Sequence, residues 1–227
     1  LYRMPTVVNN VETLSNLPHI VLRGAEWFSS IGTPKSTGTR IFSVSGHVRR
    51  PGNYELPIDV PMRELIFEHA GGVRESRRLK AVIPGGSSVP VLTEQHLDVR
   101  MDFESLANAG SMAGSGGVIV MDDTTCMVRA GEVVARFYHH ESCGQCTQCR
   151  EGTAWLHKTL RRIEAGRGRK ADLDLLLDIC DNMQGKTICP LSDAAAMPIQ
   201  SYVKYFGDEF ERHVVGHACP FGSGDGS

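Results

Sequence analysis

The sequence has no run of about 18 apolar residues, the length a helix needs to cross a bilayer, so no stretch of it reads as a spanning helix. It has almost no net charge: 24 Lys and Arg against 26 Asp and Glu leave −2. A basic excess pointing to nucleic acid is therefore missing, and so is the acidic excess of a solvating tail. The opening residues LYRMPTVVNN lack the charged stretch and apolar core of a secretion signal. They also lack an initiator methionine and begin inside ordered-looking sequence, so we expect a portion of a longer polypeptide. No internal repeat is present. What remains is a chain of 227 residues, 41% hydrophobic and 22% charged, with the balance of a globular protein. That length suits one large domain or two to three small ones.

Local patterns divide the chain into three. In the first part Leu14, Leu17, Val21 and Leu22 recur at helical spacing, followed by Trp27 and Phe28, which predicts a helix packed on something. STGTR (residues 36–40) reads as a linker. The middle part mixes strands and helices. Phe42, Val44 and Val48 alternate along a half-buried strand, Pro51-Gly52 turns the chain, and Tyr54 and Leu56 mark a returning strand. Asp59 is placed to cap a helix carrying Met62, Leu65, Ile66 and His69 on one face, with Gly71-Gly72 ending it. AVIPGG and GGVIVM predict further strands, with Phe103 and Leu106 on a short helix between them. The order suggests a small α+β domain. The last part is helical, with stripes at Leu156, Leu160 and Ile163, at Leu173, Leu176, Leu177 and Cys180, and at Ala195, Ile199, Tyr202 and Phe206. This predicts a small antiparallel bundle.

Seven cysteines are present, an odd number, and three form Cys143-x-x-Cys146-x-x-Cys149. Clustered cysteines of this kind hold metal in a reducing compartment more often than they build disulfides. A 4Fe–4S cubane needs three corners gripped from one loop and the fourth from elsewhere, which this spacing supplies. Structural zinc is the competing reading, yet it commonly uses paired C-x-x-C knuckles or Cys/His sets, and no second pair follows here. A thioredoxin-type pair has no use for a third cysteine in register. His139 and His140 read as loop or supporting groups rather than ligands. The distant ligand of such clusters typically precedes proline. Both Cys189-Pro190 and Cys219-Pro220 fit, so spacing alone does not choose. Cys189 is favoured because it opens a helix that Ser192 or Asp193 can cap, whereas Cys219 adjoins a terminal tail. Cys126 and Cys180 read as core residues. Arg150 and Lys186 flank the ligands, where a cation stabilises a reduced cluster.

At HESCGQCTQCREGT and TICPLSDAAAMPIQSYVKYF the sequence resembles the NADH-oxidising flavoprotein subunit of respiratory complex I, the family of NADH-quinone oxidoreductase F subunits. PTVVNNVETL resembles the segment closing that family's flavin site, and the middle part resembles its ubiquitin-like β-grasp (SLBB) domain. The resemblance implies an α+β multidomain chain. Residues 1–37 would end the FMN-binding α/β domain, 38–122 form the SLBB domain, 123–219 the helical cluster domain, and 220–227 a disordered tail. It implies Cys143, Cys146, Cys149 and Cys189 as the cluster ligands. It also implies that Val8, Asn9, Asn10 and Thr13 contact FMN, largely at its phosphate, with NADH as the substrate. Amides, hydroxyls and helix N-termini suit an anionic phosphate, although NNVET taken alone reads only as a helix start.

The implied partners are other peripheral-arm subunits, above all the thioredoxin-like 2Fe–2S subunit and the large iron–sulfur subunit. The implied location is the cytoplasm, or the mitochondrial matrix side in a eukaryote, reaching the membrane only through the complex. The family's Gly-rich loop for FMN and NADH has no match in this chain. Gly85-Gly86 and Gly114-Ser115-Gly116-Gly117 adjoin strands and read as turns. The expectation is therefore the exit side of an electron path, without an acid–base catalyst of its own and without NADH oxidation by this portion alone. The flavin supplies the hydride chemistry. A diaphorase subunit of an NAD-linked hydrogenase or formate dehydrogenase shares the same four ligands and is the alternative. From another class, a zinc-stabilised interaction module is the rival.

Overall fold

Alternation of apolar and polar residues builds a sheet that serves two cores at once. The structure, a computed structural model, describes residues 1–222. Strand β1 (Thr39–Gly46) buries Phe42 and Val44 and turns Ile41 and Ser43 outward. It pairs antiparallel with β2 (Gly52–Pro57) and parallel with β5 (Gly117–Asp122). β5 pairs antiparallel with β3 (Leu79–Ile83), and β3 with the two-residue β4 (Leu92–Thr93). The order is β2-β1-β5-β3-β4, a β-grasp sheet. β4 is too short to leave a period in the sequence.

Successive residues of a strand face opposite ways, and both faces of β5 are used. Val118 and Val120 meet Met62, Leu65 and Ile66, all fully buried, on one side. Met121 joins Ala81 and Ile83 against the helical bundle on the other. Helix α3 (Met62–Glu64) continues as one wider π turn, Leu65–His69, and Gly71 and Gly72 end it with φ of +75° and +81°. Its start differs from the expectation. Pro61 precedes it with no side-chain cap, because Asp59 is drawn away to Arg100, 2.7 Å off. The two Gly-rich stretches clasp each other: Gly86 N–H donates to Gly117 O, and Ser115 N–H to Gly85 O. A Cβ on Gly114 would sit 2.0 Å from Gly85 O, so these glycines serve close backbone approach. Helix α4 (Phe103–Asn108) is capped by Asp102.

The bundle has four helices among the described residues, not the three read from the stripes: α5 (Met127–Glu141), α6 (Thr147–Glu164), α7 (Asp172–Met183) and α8 (Leu191–Gly216). The stripe on α5 is diluted because it buries small residues, Gly131 and Ala135, beside Met127, Val128 and Tyr138. On α7 the fully buried side is Leu176, Ile179, Cys180 and Met183, while Leu173 and Leu177 are half-buried.

The first part is tied to the sheet rather than joined by a free linker. Ser36 is buried and donates to Glu104 at 2.6 Å, and the ring of Phe28, on the short helix α2 (Ala25–Ser29), lies over Gly38. Glu12, on α1 (Val11–Arg23), accepts from Ile41 N–H at 2.7 Å. The predicted α1 helix is present but buries no residue, and Leu14, Leu17, Val21 and Leu22 remain exposed. At the other end Phe221 packs against the bundle core with the Lys80 ammonium 4.4 Å above its ring. Within the expected tail 220–227, Phe221 is therefore packed, and 223–227 lie outside the described residues. No helix among the described residues is long and apolar enough to cross a membrane.

Asp172 holds the α6–α7 turn. Its carboxylate is fully buried, accepts from Arg162 at 2.6 and 3.0 Å, and also takes the Arg169 amide and guanidinium. Burial pushes its pKa up, but the hydrogen bonds from Arg162 and Arg169 outweigh that and hold the carboxyl below its ordinary range. A depressed carboxyl stabilises the fold above its unfolded pKa, and the contribution fades as pH falls through the folded value. We expect Asp172→Asn to cost about 2 kcal/mol at neutral pH, the loss of a charge-assisted pair. The gap from wild type should shrink below about pH 4. Urea denaturation at both pH values checks this.

Candidate metal centre

The turn between α5 and α6 carries the cysteine triple. Helix α5 ends at Glu141, and Ser142 then leaves helical geometry. Gly144 adopts φ +79°, a left-handed bend that side chains disfavour, and Cys146 becomes the residue before α6. Cys143 lies exposed on the loop, Cys146 is half-buried, and Cys149 is buried in the first turn of α6. The loop is closed by its neighbours. The Arg150 guanidinium donates to Gly144 O at 2.7 Å, Ser142 Oγ lies 3.3 Å from Cys149 Sγ, and Thr153 donates to Cys149 O. The first amides of α6 have no partners within the helix, and its N-terminus favours negative charge. Three cysteine sulfurs are therefore presented around that N-terminus.

Cys189 is brought to the same end by packing. Gly152, three residues beyond Cys149, touches Met183, the last residue of α7. A Cβ on Gly152 would stand 2.5 Å from the Met183 sulfur. Ser192, at the start of α8, donates to Met183 O at 3.1 Å. Residues 184–190 thus close a loop with both ends anchored beside α6, and Cys189 sits exposed on it. Ser192 and Asp193 do not cap α8 as expected. They lie inside its first turn, where Asp193 accepts from Gly185 N–H at 2.7 Å and ties the loop back to the helix. Lys186 donates to Asp181 O and approaches Asn182. A shallow, mostly apolar cleft of about 280 Å³ runs below these loops between α6 and α7, lined by Trp155, Ile179 and Met183.

All seven cysteines are free thiols. The four at this end offer soft sulfur from two loops, a donor set that fits iron–sulfur ligation. Of the others, Cys180 is a core residue whose burial pushes its thiol pKa up to about 12. Cys219 stands at the far end of α6 beside Cys126, Glu164 and His213, away from the triple. That separation removes it as a partner for Cys143, Cys146 and Cys149. His139 stacks at an angle on His157, and His140 contacts Glu141.

Val8, Asn9, Asn10 and Thr13 lie together at the N-terminus of α1, all exposed. Asn10 caps the helix by accepting from Thr13 N–H at 3.1 Å, and Asn9 Oδ1 accepts from Asn10 N–H. The four cysteines and this helix start therefore form two separate groups.

Comparison with known proteins places these features. Residues 129–213 match the iron–sulfur binding region of NADH-ubiquinone oxidoreductase-F, and residues 40–120 match the SLBB domain. The second NADH-quinone oxidoreductase F subunit of Rhizobium meliloti (strain 1021) is 53% identical over 97% of this chain and 52% of its own length. The F subunit of the same enzyme in Mycobacterium tuberculosis (strain ATCC 25618 / H37Rv) is 53% identical over 97% of this chain and 49% of its own. The chain thus spans about half the length of the curated relatives it matches. Among solved structures, an NAD+-reducing NiFe hydrogenase in the air-oxidised state superposes with a TM-score of 0.82 and 35% identity, over 92% of this chain and 36% of that one. By its iron–sulfur binding region, its SLBB domain and its 53% identity to curated relatives, the chain is similar along nearly its whole length to about half of an NADH-quinone oxidoreductase F subunit.

Proposed function

We propose that this chain carries electrons from a flavin reduced by NADH to a 4Fe–4S cluster and on to partner subunits, toward quinone. The observation that carries the reading is the gathering of Cys143, Cys146, Cys149 and Cys189 at one end of the bundle, inside the matched iron–sulfur region. These four are the proposed ligands. When bound, such a cluster takes up and gives back one electron at a time. The chain's own part is to hold four thiolates at a helix N-terminus, with Arg150 closing the loop beside them.

The start of α1 is the proposed edge of the FMN site. Val8, Asn9, Asn10 and Thr13 surround first-turn amides able to bind an anionic phosphate. The exposed apolar stripe of α1 would rest against the part of the flavoprotein that this chain does not span. NADH would bind there too, so the reaction with NADH belongs to the longer protein. The proposed partners are peripheral-arm subunits, chiefly the thioredoxin-like 2Fe–2S subunit and the large iron–sulfur subunit. Contact with the membrane would be through them. A diaphorase role in an NAD-linked hydrogenase is the second reading, favoured by the 0.82 superposition; 53% identity to the quinone-linked F subunits against 35% favours the first.

Four outcomes test this. Purified without oxygen, the chain should carry about four irons and four sulfides and give an EPR signal on reduction. Absence of acid-labile sulfide would refute it. Cys189→Ser should lose or convert the cluster and lower the bundle's melting temperature, because the cluster ties the loop of residues 184–190 to α6. Cys219→Ser should leave the iron–sulfur spectrum unchanged. Finally, the chain alone should not reduce ferricyanide with NADH. Robust activity would place the nucleotide site within these 227 residues instead.

A further inference from the structure

At the opposite end of α6 from the cysteine triple, four ligand-type side chains meet from four places in the chain. Cys126 precedes α5, Glu164 ends α6, His213 lies in the last turns of α8, and Cys219 follows it. Cys126 Sγ stands 3.3 Å from His213 Nε2 and 3.4 Å from Glu164 Oε2, and Nε2 to Oε2 is 3.1 Å. All four ligand atoms, Cys219 Sγ included, lie within 4.8 Å of one another. Cys126 and His213 are buried, and the other two half-buried.

The two spacings from Cys126 Sγ match the edges of a coordination tetrahedron, and that between Nε2 and Oε2 is slightly shorter. With Zn–S of about 2.3 Å and Zn–N or Zn–O of about 2.0 Å, neighbouring ligand atoms stand about 3.3–3.8 Å apart. The histidine is also aimed. Its Nδ1 lies 2.6 Å from Glu209 O, and since a carbonyl only accepts, Nδ1 carries the proton there. Nε2 is thereby turned toward the two sulfurs and the carboxylate, as a second hydrogen bond orients metal-binding histidines. Glu209 is fixed in turn by Met127 N–H and by an ion pair with Lys80.

We propose that Cys126, Glu164, His213 and Cys219 form a four-coordinate structural zinc site, distinct from the iron–sulfur ligands. Two thiolates and an imidazole with one carboxylate select zinc among common divalent ions, and four protein ligands leave no open position for chemistry. Binding releases the protons of the two thiols, and no electron moves. The ion would enter from the cleft beside Cys219 that Arg161, Ala165 and His217 also line. It would staple the start of α5, the end of α6, α8 and the segment after it. That corner is already tight, since a Cβ on Gly166 would meet His217 O at 2.0 Å.

The test is elemental analysis of the full chain, expressed with iron and zinc and purified anaerobically. We expect about one zinc beside about four irons. Cys219→Ser, at the partly exposed edge, should lower zinc content at least tenfold when purified in the presence of a mild chelator. Its iron content and iron–sulfur spectrum should stay intact, which shows that the variant has folded. Cys126→Ser should behave alike. Zinc-edge X-ray absorption on the wild type should fit two sulfurs and two nitrogen or oxygen atoms. A zinc-free chain with full iron would overturn the proposal. So would a four-sulfur zinc shell, or zinc that survives in Cys219→Ser but is lost on replacing Cys143 and Cys146.

Discussion

The contact of Gly152 with Met183 sets how far the loop of three cysteines stands from the loop of the fourth. Only hydrogen at position 152 lets α7 end so close to α6. Everything at that end follows from it. Ser192 bonds to the carbonyl of the same Met183, so α8 begins there, and residues 184–190 have little freedom left. Asp193 takes up the Gly185 amide, which removes more. The four cysteines proposed as ligands stand on two separate loops and need this kind of external anchoring, because they make no bonds to one another. Close packing of α6 on α7 supplies it before any metal arrives.

An ion pair links the sheet to this bundle beside the apolar contacts. Lys80 on β3 reaches Glu209 on α8, and its ammonium lies near the rings of Phe206 and Phe221. Glu209 also caps α5 through Met127 N–H. A carboxylate this buried is costly to hold unless its lone pairs are filled, and here two elements fill them. The β-grasp sheet and the bundle are thus positioned by polar groups as well as by the apolar layer of Ala81, Ile83 and Met121.

Much of this is legible in the sequence where the signal is local. C-x-x-C-x-x-C, the alternation at Phe42 and Val44, and the stripes of α6 and α8 all lie within a few residues of one another. Helix α5 escapes the pattern because it packs through Gly131 and Ala135, small residues with little weight in a hydrophobic stripe. The capping role expected of Ser192 and Asp193 fails because their side chains serve a preceding loop, a tertiary use that competes with the local one. Asp59 goes to Arg100 for the same reason. Cys126 reads as a core residue and Cys219 as a rival for the fourth cluster ligand, and nothing nearby in sequence points to a site that the two share. Their partners Glu164 and His213 lie 38 and 87 residues from Cys126, so only the folded chain brings the four together.

The two ends of α6 are built for opposite demands. At its N-terminus Cys143 and Cys189 are exposed on loops, Cys146 is half-buried and Cys149 is buried in the first turn, with a half-exposed Trp155 and an apolar cleft nearby. In the proposed role electrons would enter and leave there, so the site would have to be reachable by partners, and rigidity would come from the helices behind it. At the C-terminus the ligand-type groups are buried or half-buried and drawn from four elements, with the imidazole fixed by a backbone carbonyl. Such an arrangement suits holding rather than exchange. The helix between is 18 residues long, roughly 25 Å. Fixing its far end limits tilt, and any tilt of α6 would shift Cys146 and Cys149 relative to the loop of Cys189. A rigid far end is therefore the mechanical condition for a constant geometry at the exposed one.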